Sequence, residues 1–67
     1  MINIIVNDTP RLFKATITLQ EIISELGISV SGIAVAVNEN IIAKTVWNTT
    51  TLQQNDEVLV IRATQGG

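Results

Sequence analysis

Few groups in this sequence can do chemistry. It has no histidine and no cysteine, so it offers no imidazole base, no thiol nucleophile, no disulfide and no thiolate metal site. The carboxylates are Asp8, Glu21, Glu25, Glu39, Asp56 and Glu57. Asp8 and Asp56 lie in turn-forming stretches, Glu21 sits where a helix should begin, and Glu25 falls on that helix's polar side. Asp56 and Glu57 are chain neighbours, so on a strand they point to opposite faces. These acids read as solvated surface groups rather than an acid–base pair. No glycine-rich phosphate loop of the P-loop or dinucleotide type is present. The chain itself is therefore not expected to be an enzyme, nor to bind a cofactor or a metal.

What remains is the terminal carboxylate of Gly67, preceded by Gly66. Two glycines remove every side chain beside that carboxylate, so the backbone can enter a narrow channel and adopt angles closed to other residues. The group is ionised at neutral pH, since an unperturbed terminal carboxyl has a pKa near ~3.5. As a carboxylate it can attack the α-phosphate of ATP to give an acyl-adenylate, which is open to a sulfur, oxygen or nitrogen nucleophile. A partner must supply the nucleotide site and Mg²⁺. Fully extended, the six residues beyond Ile61 reach about 20 Å.

The elements that must carry this terminus are legible from periodicity. Ile2, Ile4 and Val6 alternate as a strand. Asn7-Asp8-Thr9-Pro10 has turn chemistry, and Leu12 to Ala15 reads as the return strand of a hairpin. Thr18-Leu19-Gln20-Glu21 is a capping box, with Ile17 and Ile22 placed as its hydrophobic staple. Leu19, Ile22, Ile23 and Leu26 then form one apolar helix face, and Gly27 ends the helix. Ile33 to Val37 alternates large and small residues and Asn38-Glu39-Asn40 is a turn. Ile41 to Val46 is a further strand candidate, followed by Trp47, which reads as a lid on one end of the core. After the turn Gln53-Gln54-Asn55-Asp56, Glu57 to Arg62 is the last strand. Its Val58 and Val60 share one face, and Leu59 and Ile61 the other.

The single helix can cover only one face of such a sheet. Ile2, Ile4, Val6, Val35, Val58 and Val60 are expected beneath it. Ile5, Leu59 and Ile61 are expected on an open face, where apolar residues mark a docking surface for a partner.

The chain has 67 residues, enough for one domain with one small core. The expected division is a folded domain over residues 1–63 and a flexible tail over 64–67. Formal charge is −2, and Arg11, Lys14, Lys44 and Arg62 are scattered, so a nucleic-acid partner is not expected. No apolar run approaches the ~20 residues that span a bilayer, and no basic start leads into a long apolar stretch. A soluble, cytoplasmic protein is the expectation.

Taken together, the opening Ile2-Asn3-Ile4-Ile5-Val6-Asn7-Asp8, the capped helix closing at Leu26-Gly27, Val35-Ala36-Val37-Asn38, Trp47, Asn55-Asp56-Glu57-Val58 and Gly66-Gly67 resemble the ThiS family over essentially the full length. These are the sulfur carrier proteins of thiamin biosynthesis. The resemblance implies an α+β, ubiquitin-like β-grasp fold: a mixed four- to five-stranded sheet with one main helix on one face. It further implies that Gly67 is adenylated by an E1-like (ThiF-like) enzyme using ATP and Mg²⁺. Gly67 is then converted to a thiocarboxylate that donates sulfur to thiazole synthase (ThiG-like). The sulfur comes ultimately from cysteine, through a cysteine desulfurase or persulfide carrier. By the same resemblance Gly66 gives the tail access, and Ile5, Leu59 and Ile61 dock the activating enzyme. The sequence departs from the family pattern at Asn55, where glycine is common, and at Thr64-Gln65, where an apolar residue or alanine often precedes the glycines.

Two alternatives stay open at this point. One is the small subunit of molybdopterin synthase or another β-grasp sulfur carrier, which has the same Gly-Gly terminus. The other is a ubiquitin-like protein modifier or interaction module, in which Gly67 would end in an amide to lysine or have no role.

Overall fold

A computed structural model describes residues 1–62; the boundary between 1–63 and 64–67, with Gly66 and Gly67, lies outside the described residues. The described chain runs β1 (Ile2–Val6), β2 (Thr9–Phe13), α1 (Leu19–Glu25), β3 (Ile33–Val37), β4 (Asn40–Ile42), a 3₁₀ turn (Lys44–Val46) and β5 (Glu57–Arg62). The five strands form one sheet in the order β2-β1-β5-β3-β4. All neighbours are antiparallel except β1 and β5, which run parallel at its centre. This is the expected α+β arrangement, with five strands.

Both hairpins close more tightly than the sequence suggests. Asn7 and Asp8 take φ of 47° and 68°, and Asn38 and Glu39 take 49° and 72°. Positive φ at both central residues defines the two-residue turn whose twist matches that of the flanking strands. Pairing therefore resumes at once, Val6 with Thr9 and Val37 with Asn40. The return strand of the first hairpin is Thr9–Phe13 rather than Leu12 to Ala15. Pro10 is accommodated because β2 is an edge strand and need not donate there.

The strand expected over Ile41 to Val46 is shorter. β4 stops at Ile42, and Lys44–Val46 form the 3₁₀ turn. The cause is Trp47, which is 1% exposed and donates its indole Nε1–H to the Ile42 carbonyl at 2.9 Å. A strand continuing to Val46 would carry the indole away from that acceptor and from the core.

The capping box forms as read. The Glu21 amide donates to Thr18 Oγ1 at 3.2 Å, and the Thr18 amide donates to Glu21 Oε1 at 2.9 Å. The amides of Leu19 and Gln20 donate to the carbonyls of Thr50 and Trp47, so the loop after β4 satisfies helix donors that would otherwise be unpaired. At the other end Gly27 has φ of 69°; an added Cβ would meet nothing within 4 Å, so conformation rather than space selects glycine.

Hydrogen bonding from the Thr18 backbone, together with the Lys14 ammonium 3.2 Å away, lowers the Glu21 pKa below its ordinary value. A depressed folded-state pKa stabilises the fold above the unfolded value and loses that effect as pH falls through the folded one. Glu21→Gln retains a capping-box residue but removes the charge. The parent's stability advantage over this variant, measured by urea unfolding, is expected to be full at neutral pH and to shrink below roughly pH 4. An advantage unchanged at low pH would contradict this.

The core lies between α1 and one sheet face. Ile4, Val6, Val35 and Val58 from the sheet meet Leu19, Ile22 and Ile23 from the helix, closed by Phe13, Ile17, Trp47 and Leu52. Ile2, Val60 and Leu26 are partly buried against them. No buried side-chain polar atom among the described residues lacks a hydrogen-bond partner.

Candidate functional site

The strand that leads toward Gly67 is the central one. β5 pairs with β3 from Val58 to Arg62 and with β1 at Glu57 and Val58. A central strand bonded on both sides is a rigid mount for whatever follows it.

Two asparagines strengthen that mount. The Val60 amide donates to Asn7 Oδ1 at 2.8 Å, and the Glu57 amide donates to Asn38 Oδ1 at 3.0 Å. Each asparagine occupies the first central position of a hairpin turn, and the two reach β5 from opposite sides. Asn38 Nδ2 also donates to Asp56 Oδ1 at 3.0 Å, while Asp56 Oδ2 accepts the Gln53 amide at 2.8 Å. Asp56 is thus a turn clasp, and Asn55 beside it takes φ of 71°. Asparagine tolerates that conformation, so the turn survives without glycine. Sequence reading saw these residues only as turn formers. The available signal was asparagine at the same position of both turns.

The open face is where alternation along β5 puts it. Leu59 and Ile61 are 50% and 43% exposed, and Ile5 is half-buried on neighbouring β1. Pairing adds residues the sequence reading did not single out. Leu12 lies opposite Asn3 and Ile41 opposite Ala36, so both share this face, and each is 65% exposed. Apolar side chains therefore cross the sheet from edge to edge. Ala34 and Ala36 pair with Ile61 and Leu59, and these small residues keep the middle of the face low. A shallow cavity of about 330 Å³ opens here, with Ile5, Ala36 and Leu59 in its lining and Asp8, Glu39 and Glu57 contributing acidic groups.

Among the described residues no three acidic side chains cluster closely enough to hold a metal ion, and no helix is long and apolar enough to cross a membrane. Of the residues read as functional, Ile5, Leu59 and Ile61 come together on one face; Gly66 and Gly67 lie outside the described residues.

A mixed sheet in this order, with one helix across one face and an apolar face opposite, defines a ubiquitin-like β-grasp domain. The sequence matches the ThiS family over residues 4–67, and the chain belongs to that family. Among solved structures it is similar to the crystal structure of a thiamine biosynthesis protein (ThiS) from Geobacter metallireducens. The TM-score is 0.83 at 22% identity, covering 98% of this chain and 100% of that one. An NMR solution structure of a thiamine biosynthesis protein from the same organism aligns with a TM-score of 0.76 at 22% identity, covering 98% and 88%. No curated protein matches the sequence.

Proposed function

We propose that this protein is the sulfur carrier of thiamin thiazole synthesis and that Gly67 bears the sulfur. A Gly67 carboxylate oxygen attacks the α-phosphorus of ATP on an E1-like enzyme holding Mg²⁺, and pyrophosphate leaves. The terminal sulfur of a partner's persulfide then attacks the acyl carbon and AMP leaves. A thiol reductant cleaves the resulting S–S bond and frees the thiocarboxylate, which donates sulfur to thiazole synthase. The chain acts as a protein co-substrate in the cytoplasm, where ATP and cysteine-derived sulfur are available.

The observation that carries this reading is the family match running through residue 67, beyond a central strand braced on both sides. The sequence chemistry is consistent with it, since the chain offers no competing nucleophile of the cysteine or histidine type. Incubation with Mg-ATP and the activating enzyme tests it: the intact chain should take up an adenylate, and a chain ending at Gly66 should be a much poorer acceptor. Equal modification of the two chains would refute the assignment to Gly67. Attachment to lysines of other proteins would support the modifier alternative instead.

The same reading assigns the face carrying Ile5, Leu59 and Ile61 to the activating enzyme. Leu59→Asp should weaken that complex by about 2 kcal/mol, roughly thirtyfold in Kd, the scale of a central interface residue. Because Leu59 is half exposed on the face away from the helix, thermal unfolding should shift little. Titration calorimetry and a melting curve check both; an unfolded variant or an unchanged Kd would contradict the assignment.

A further inference from the structure

We infer that the open sheet face receives an arginine side chain from the partner that docks on it. The guanidinium lies among Asp8, Glu39 and Glu57, and its methylene stem lies over Ile5, Ala36 and Leu59. The inference deepens the assignment of this face to the activating enzyme and rests on it for the identity of the partner.

Strand order brings the three acids to one cavity. β5 lies between β1 and β3, with Ile5 opposite Glu57 and Ala36 opposite Leu59. Asp8 comes from the β1–β2 turn on one side of β5, and Glu39 from the β3–β4 turn on the other. All six residues line the cavity of about 330 Å³. Its floor is apolar and its border is acidic.

The charge here is unbalanced. Three of the six carboxylates of the chain line this cavity, and none of the four bases does. Arg11 lies opposite the buried Ile4, and Arg62 alternates with Val58 and Val60, so both belong to the helix side of the sheet. Lys14 is paired with Glu21 at 3.2 Å, and Lys44 sits in the 3₁₀ turn past β4. The carboxylates of Glu21 and Asp56 are engaged by hydrogen bonds. Among the described residues, those of Asp8, Glu39 and Glu57 have neither a hydrogen bond nor an ion pair.

These features set the chemistry of the complement. The three carboxylates do not converge as metal ligands would. A partner covering the cavity with apolar groups alone would strip water from them without replacing it. A guanidinium is weakly hydrated and offers five N–H donors in a plane, and its stem covers apolar surface. A lysine ammonium is more compact and more strongly hydrated, and serves three separated acceptors less well.

The turns supply clean variants. Asp8 and Glu39 occupy the second central positions, with φ of 68° and 72°, where glycine is at ease. Asp8→Gly and Glu39→Gly therefore delete charge while suiting the turn, and Glu57→Gln deletes the third charge. The triple variant should melt no lower than the parent, which separates docking from any role in stability. Its Kd for the E1-like enzyme, measured by calorimetry, should rise about tenfold or more. Added salt should weaken the parent complex and change the triple variant's little. Glu25→Gln, on the helix, should bind like the parent. A second measurement needs no enzyme: amide chemical shifts during titration with N-acetyl-arginine amide or its neutral citrulline counterpart. Residues lining the cavity should respond to arginine and hardly to citrulline, and the triple variant to neither. A triple variant with parent-like Kd and salt dependence overturns the inference, as does equal response to the two amides. Should the triple variant fail to fold, Glu57→Gln alone should weaken the complex about threefold, and an unchanged Kd overturns the inference. If the parent does not bind the enzyme at all, the docking assignment fails, and the two titrations still decide what the cavity prefers.

Discussion

Gly66→Val is expected to lower the rate of adenylation by about a hundredfold or more while leaving the unfolding transition of the domain where it was. The two halves of this prediction have different causes. Residue 66 lies beyond β5 in the sequence, and glycine has no side chain to lose, while the fully buried core of the described residues is built from positions 4–58. The loss falls on reaction geometry. On the proposed reading, a β-branched side chain beside the Gly67 carboxylate restricts the backbone and widens the segment that would enter the activating site. Near-attack geometry tolerates displacements well below 1 Å before rates fall by orders of magnitude. Gly66→Ala should fall between, since it adds only a methyl group. Exchange kinetics and a melting curve on the same three samples check the prediction. Parent-like kinetics in Gly66→Val would mean that the terminus does not enter a narrow site.

Trp47→Ala is expected to have the largest effect on stability, about 3–5 kcal/mol. The indole is 1% exposed and is the largest of the fully buried side chains. It closes the end of the core where the 3₁₀ turn, the helix start and β4 meet, and its Nε1–H satisfies the Ile42 carbonyl. Its own backbone carbonyl accepts the Gln20 amide at the first turn of α1, so displacing it also loosens the helix. Domains of this size bury a modest fraction of their surface and lie toward the low end of the 5–15 kcal/mol range. At roughly 4–8 °C per kcal/mol, Tm should drop by at least about 12 °C, or the variant should fail to fold. Trp47→Phe keeps much of the apolar volume and isolates the indole hydrogen bond, so it should cost a smaller part of that. A drop of only a few degrees for Trp47→Ala would show that the core does not depend on its lid.

The parts of the fold that the sequence made legible are those set by local chemistry. Thr18 and Glu21 specify the helix start because both halves of the capping box lie within one turn. Gly27 specifies its end because glycine takes a φ of 69° without the strain a Cβ would bring. Alternation along Glu57 to Arg62 correctly separated Val58 and Val60 from Leu59 and Ile61. Misread segments were those where a distant contact decides. Ile41, Ile42 and Val46 look like one strand until the Trp47 indole takes the Ile42 carbonyl and turns the chain. Leu52 gives no periodic signal because it sits in a loop, yet it is buried against the core. The exposed Leu12 and Ile41 join the open face only through their register with Asn3 and Ala36. Insertion of β5 between β1 and β3 is likewise a long-range pairing that no short window encodes, and with it come the bonds from Asn7 and Asn38.

For the candidate site, the open face was readable and its bracing was not. An asparagine in a turn explains itself by φ, which hides any second role of its side chain. Only the observed distances from Oδ1 to the amides of Val60 and Glu57 separate a turn former from a strut.

The central claim is that Gly67 carries sulfur as a thiocarboxylate. The most direct measurement combines the protein with Mg-ATP, the E1-like enzyme, a persulfide donor and a thiol reductant, and then determines the mass of the C-terminal peptide. The account predicts replacement of one terminal oxygen of Gly67 by sulfur, dependent on ATP and absent from a chain ending at Gly66. A C-terminal peptide that keeps both oxygens under conditions where the enzyme is active, or one joined through an amide to a lysine, would contradict it.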